Sequence, residues 1–139
     1  MADMYAAVVN SEPTTLTGAV GATDTTLHIS EPSVIPDAPN ILVIGADTSS
    51  PETVMITAKT GTVLTVTRGF QGAARSWGAG TLIARNFTAY DHDTFIENIN
   101  ANTAHRTEAL PHVTADGQFN YGFKVDSDGV LVFIYEERA

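Results

Sequence analysis

The sequence contains no cysteine. That excludes disulfides, thiolate zinc centres and a cysteine nucleophile at once. Basic residues are scarce as well: 7 Lys and Arg stand against 16 Asp and Glu, for a net charge of −9. Such a surface repels nucleic-acid phosphates and anionic membranes, which both need clustered cations. Neither nucleic-acid binding nor membrane insertion is expected. No apolar run approaches the ~20 residues that cross a bilayer. No basic-then-apolar leader opens the chain, so the expectation is synthesis in a cytoplasm without a standard export signal.

What is present suits a folded β-rich protein. The 139 residues fit one ordinary domain, or one core with a small appended element. A hydrophobic content of 43% argues against disorder. Val, Ile and Thr recur in short runs punctuated by 11 Gly and 6 Pro. Charge is distributed unevenly: residues 1–88 carry 7 acids and 4 bases, and residues 89–139 carry 9 acids and 3 bases. Two regions with different surroundings are implied.

The pattern predicts a mainly β fold: a small antiparallel barrel or sandwich over 1–88, a helix and linker over 89–111, and a C-terminal β-hairpin over 112–139. Thr15-Leu16-Thr17 and Thr25 to Ile29 begin short alternations, and Pro32, Pro36 and Pro39 crowd a loop. Asn40 to Gly45 is an apolar run of buried-strand length. From Glu52 the chain alternates again, with Val54, Ile56 and Ala58 on one face, and Thr60-Gly61 marks a tight hairpin into Val63–Thr67. Thr88 or Asp91 caps a helix whose thin apolar stripe is Phe95, Ile96 and Ile99, ending at Pro111 at the latest. Phe119, Tyr121, Phe123 and Val125 then alternate up to an Asp126-Ser-Asp-Gly129 turn, followed by an almost wholly apolar run from Val130 to Tyr135. A hairpin alone is marginal in water, so this one must lie on something.

No catalytic or metal site stands out, and no cofactor is expected. His28, His92, His105 and His112 show no helical i, i+4 metal spacing, and His105 meets His112 only if the chain bends at Pro111. Asp91-His92-Asp93 is better explained as helix capping and first-turn charge than as an acid–base pair. The Asp126 turn lacks the later ligands of a calcium loop. Gly69, Gly72, Gly78 and Gly80 have no following Lys-Ser/Thr, and no Gly-x-Ser-x-Gly elbow occurs. The single Trp77, beside two glycines, is either a plug over one barrel end or a sugar-stacking surface.

Two stretches carry a resemblance. Glu52 to Ala58, Gly61 to Gly72 with its Thr67-Arg68-Gly69-x-x-Gly72 ending, Gly80 to Arg85 and Phe87-Thr-Ala89 together resemble a small β-domain of tailed-bacteriophage virion proteins, the tail, baseplate and fibre-attachment components. Tyr121-Gly-Phe-Lys-Val-Asp126 and Gly129 to Glu137 look like the C-terminal hairpin of small phage structural proteins. The resemblance covers roughly two thirds of the chain. It implies a virion structural role in the tail, baseplate or neck, as a symmetric oligomer and by preference a homotrimer with other virion proteins as partners. It brings no catalytic residues with it.

The expected oligomer interface is Phe95, Ile96 and Ile99 of the helix with Phe119, Tyr121, Phe123, Val132 and Ile134 of the hairpin. The alternative is a host-recognition module that binds a surface glycan through Trp77. A cell-wall hydrolase would need a paired carboxylate or metal cleft that the sequence does not display.

Overall fold

The computed structural model describes residues 1–107 and 110–138. Residues 108–109 of the expected helix and linker, and Ala139 of the expected hairpin, lie outside the described residues. The chain is mainly β and divides into two compact units: Asp3–Asp93, and Thr94–Ala139 together with Met1–Ala2. The divide falls inside the helix.

The first unit holds six strands: β1 (Thr14–Thr15), β2 (Thr26–His28), β3 (Asn40–Ile44), β4 (Glu52–Thr60), β5 (Val63–Gln71) and β6 (Leu82–Ala84). They form one curled antiparallel sheet in the order β1-β6-β3-β4-β5-β2. Two register shifts in the β4–β5 pair, at Thr53/Met55 and Ile56/Ala58, bend the long hairpin and help the sheet curl. The two edge strands meet: Leu16 bridges Ile29, with Thr17 N–H on His28 O (2.9 Å) and Ser30 N–H on Thr15 O (3.0 Å). Neither edge is left fully open to a stray strand.

The core fills the inside of this curl. Leu16, Leu27, Ile44, Val54, Ile56, Leu64 and Ile83 are all fully buried within it. β3 is buried at every position, as an unbroken apolar run in a central strand should be. Val54 and Ile56 point inward from β4, and Leu64 and Val66 do the same from β5. Period-2 alternation continues in both strands to one inward charged residue each, Glu52 and Arg68.

Helix α1 spans Ala89–Thr107. Its first turn is fixed by Asp91, whose Oδ2 accepts from the Thr88 N–H (2.8 Å) and the Thr88 hydroxyl (3.0 Å). The carboxylate three residues into the helix thus satisfies a donor that precedes it, as in a capping box.

The second unit carries most of α1 and a three-stranded antiparallel sheet, β7 (His112–Val113), β8 (Phe119–Val125) and β9 (Leu131–Glu137), in that order. β7 adds a short third strand to the expected hairpin, through pairing of His112 with Tyr121 and of Val113 with Asn120. The Asp126 side chain closes the β8–β9 turn by accepting from the Asp128 and Val130 N–H groups, both at 2.9 Å. α1 meets this sheet at its C-terminal end, where His105 lies against His112. Among the described residues, no apolar side chain beyond Thr94 is fully buried. Among the described residues, this unit has no core of its own.

Candidate functional site

The most concentrated chemistry in the first unit surrounds Glu52. Its carboxylate is fully buried and accepts five hydrogen bonds: Arg68 Nε (2.8 Å) and Nη2 (2.8 Å), the Trp77 indole N–H (2.9 Å), and the backbone N–H groups of Gly69 (2.9 Å) and Arg75 (3.1 Å). Arg68 spends its remaining donors on the carbonyls of Gly21 (2.7 Å), Asp24 (2.9 Å) and Arg75 (2.5 Å). Burial by itself would lift the Glu52 pKa. The bonds from Arg68, then Trp77, Gly69 and Arg75, more than reverse this and lower it to about 2.

A carboxylate with its lone pairs filled and no exposure has no means of taking a proton from a substrate. The arrangement is structural. It explains why Thr67-Arg68-Gly69 has the residues it has: Arg68 must reach inward, and Gly69 must present its N–H to Glu52 from a left-handed backbone (φ 59°). A Cβ there would also crowd the backbone nitrogen of Ala74 at 3.2 Å.

Trp77 belongs to the same cluster. It is half-buried against the core, its backbone bridges Val20, and its ring lies on Gly45, another left-handed glycine (φ 68°). With its N–H engaged by Glu52 and its six-membered ring against Gly45, it caps the core at this point of the curled sheet. The half-buried indole leaves only part of its surface for the sugar stacking expected in the alternative reading.

A second buried ion pair lies at the start of α1. Arg85 donates to Asp91 through Nη1 (3.0 Å) and Nη2 (2.5 Å), and also reaches the carbonyls of Tyr5, Ala6 and Asn86. Burial works to raise the Asp91 pKa, but Arg85 and Thr88 outweigh it and hold it below the usual carboxylate range. Asn40 donates to Ala6 O (3.1 Å), Tyr90 donates to Asp3 O (2.9 Å), and the Tyr5 ring stacks on Tyr90 at 5.6 Å. These contacts tie down the irregular N-terminal segment and leave no donor of the pair for a ligand.

The remaining candidates are weaker. An open groove of about 600 Å³ runs between Asp3–Ala6 and Pro36–Asn40, but its Asp37 pairs with Lys59 at the surface. His28 and His92 are exposed, and His92 Nδ1 lies 3.3 Å from Asp93 Oδ1. No group of three metal-ligating side chains occurs among the described residues, and no helix there is long and apolar enough to cross a membrane.

The second unit offers a surface. In the β8–β9 register, Tyr121 faces Tyr135, Phe123 faces Phe133, and Val125 faces Leu131. Side chains alternate across a strand, so these six and Phe119 share one face. Their rings run in sequence: Phe119–Tyr135 at 5.9 Å, Phe133–Tyr135 at 5.9 Å, Tyr121–Phe133 at 5.8 Å and Phe123–Phe133 at 5.4 Å. His112 continues the row beside Tyr121 (5.1 Å), and His105 of α1 meets His112 edge-on at 5.1 Å, the approach that a bend at Pro111 permits.

The expected interface set therefore divides. Phe119, Tyr121 and Phe123 lie on the aromatic face, while Val132 and Ile134 lie on the opposite one with Gly122 and Lys124. Val125, Leu131, Phe133 and Tyr135, outside that set, lie on the aromatic face as well. The run Val130–Tyr135 is apolar throughout, so it carries no phase of its own, and only the turn register fixes which residues share a face. On α1, Phe95, Ile96 and Ile99 are all exposed. No protein family matches the chain, and no curated protein matches it at a significant level.

Proposed function

We propose that this chain is a non-catalytic structural component of a tailed-phage virion, in the tail, baseplate or neck, working as a homo-oligomer of preferred threefold symmetry. One observation carries the assembly part of this reading: the second unit presents a continuous aromatic face and buries no apolar side chain completely among its described residues. Large exposed apolar patches on a folded protein mark surfaces that other chains cover. The saturated Glu52–Arg68 and Asp91–Arg85 pairs support a scaffold over an enzyme, because their charges are consumed in holding strands and the N-terminal segment. The virion assignment rests on the motif likeness around Thr67–Gly72 and in the C-terminal hairpin.

Mass spectrometry of purified phage particles, from a host in which the chain is produced, tests the reading. The chain is expected in the particles at a fixed copy number that is a multiple of three. Its production in infected cells with absence from particles would contradict the proposal.

A further inference from the structure

We infer that the aromatic face of β8 and β9 is covered by the same face of further copies of this chain. This rests on the assembly reading above and identifies the partner at that surface. Phe123, Val125, Leu131, Phe133 and Tyr135 are 59%, 65%, 68%, 52% and 66% exposed. Since a large aromatic side chain covers ~150–250 Å², these five together expose on the order of 500 Å² per copy. Two such faces in contact bury on the order of 1,000 Å², which is the threshold for a specific association.

Three further features favour a copy of this chain over a foreign partner. A unit without a core needs its partner whenever it folds, and an identical chain is the one partner always made alongside it. The face carries few charged residues: of its β8 and β9 residues only Glu137, at one end, is acidic or basic, so two like faces meet with little like-charge repulsion even though each chain carries −9. Finally, among the described residues no strand pairs with β9 on the side away from β8. Asp126 N–H on Val130 O and Arg138 N–H on Gln118 O fix which pairs exchange ladder bonds. Leu131, Phe133, Tyr135 and Glu137 therefore sit at non-bonded positions and turn their backbone groups outward, next to the exposed rings. A self-complementary apolar face beside an open edge is a geometry in which copies associate.

Because the chain lacks cysteine, one introduced thiol reports on one face. Leu131→Cys places it on the aromatic face, and Lys124→Cys places it on the opposite face. Each full-length variant is labelled with a maleimide over a range of protein concentrations, and Trp77 fluorescence reports that the first unit stays folded. L131C is expected to label about tenfold or more slowly at high than at low concentration, while K124C labels at one rate throughout. A pair of aromatic substitutions, Phe123→Ser with Phe133→Ser, should abolish the protection of L131C. Concentration-independent labelling of L131C, or protection of K124C alone, overturns the inference. Light scattering separates the outcomes: an oligomer with L131C unprotected removes this face but leaves the assembly reading standing, whereas a monomer found in purified particles removes the self-partner and the homo-oligomer together and leaves only the virion assignment.

Discussion

Glu52 and Arg68 show how a charge can be part of a core. Each extends the inward row of its strand, Glu52 ahead of Val54 and Ile56 and Arg68 after Leu64 and Val66, and each ends up with its side chain almost or fully buried. Removing one partner strands the other's charge in the interior. Glu52→Ala is expected to destabilise the first unit by about 3–5 kcal/mol, measured as a lowered denaturant midpoint by Trp77 fluorescence. A loss within the ~0.5 kcal/mol usual for surface changes would show that the network is not holding the sheet. The pH dependence follows from the same bonds. The folded Glu52 has a pKa near 2 against an ordinary 4.5, so the stability it confers is present above about pH 4.5 and disappears as pH falls toward 2. The shift corresponds to about 3 kcal/mol, and in E52Q that acid-sensitive part of the unfolding curve should be missing. Gly45→Ala should be costly too. Its Cβ would enter the Trp77 ring from a left-handed backbone, for about 2–4 kcal/mol by overpacking and backbone strain together.

At the scale of elements, much was readable before the structure and some was not. The hairpin over Thr60-Gly61, the buried run Asn40–Ile44 and the Asp91 cap all follow from local chemistry, and the strands and helix form where that chemistry places them. The inward side of Glu52 was also readable in principle: alternation puts it in phase with Val54, and Arg68 in phase with Val66. A charged residue is easily taken as a strand end, because burial is the exception for its type. The partner of Asp91 was not readable, since Arg85 meets it only through the folded path between β6 and α1. Asp91→Ala removes both the cap and the counter-charge of a buried arginine. The expected cost is about 3–5 kcal/mol, well beyond the ~1 kcal/mol of a lost cap alone. Chemical denaturation of D91A beside the double variant D91A/R85M checks this, because the double variant should recover part of the loss. Failure to recover would place the effect in the cap. The phase of β9 was likewise hidden, for an unbroken apolar strand fits either face until its register is known.

The whole molecule pairs a unit with a filled interior with one in which, among the described residues, no apolar side chain is fully buried. On the proposed reading further copies complete its burial, so that the negative charge opposes association and the aromatic face drives it. Raising salt from ~0.05 to ~0.5 M screens the first and leaves the second, so self-association should tighten with salt; weakening with salt would indicate a charge-driven contact instead. Stability should divide in the same way. Unfolding of the first unit, read by Trp77, is expected to be independent of protein concentration, and loss of the aromatic near-ultraviolet signal of the second unit is expected to depend on it. The most direct measurement is sedimentation equilibrium of the full chain at about 10 μM, beside the Phe123→Ser/Phe133→Ser variant. The account predicts a mass near three times the 14.7 kDa of one chain for the native protein and 14.7 kDa for the variant. A single-chain mass for the native protein, or an unchanged oligomer in the variant, would contradict it.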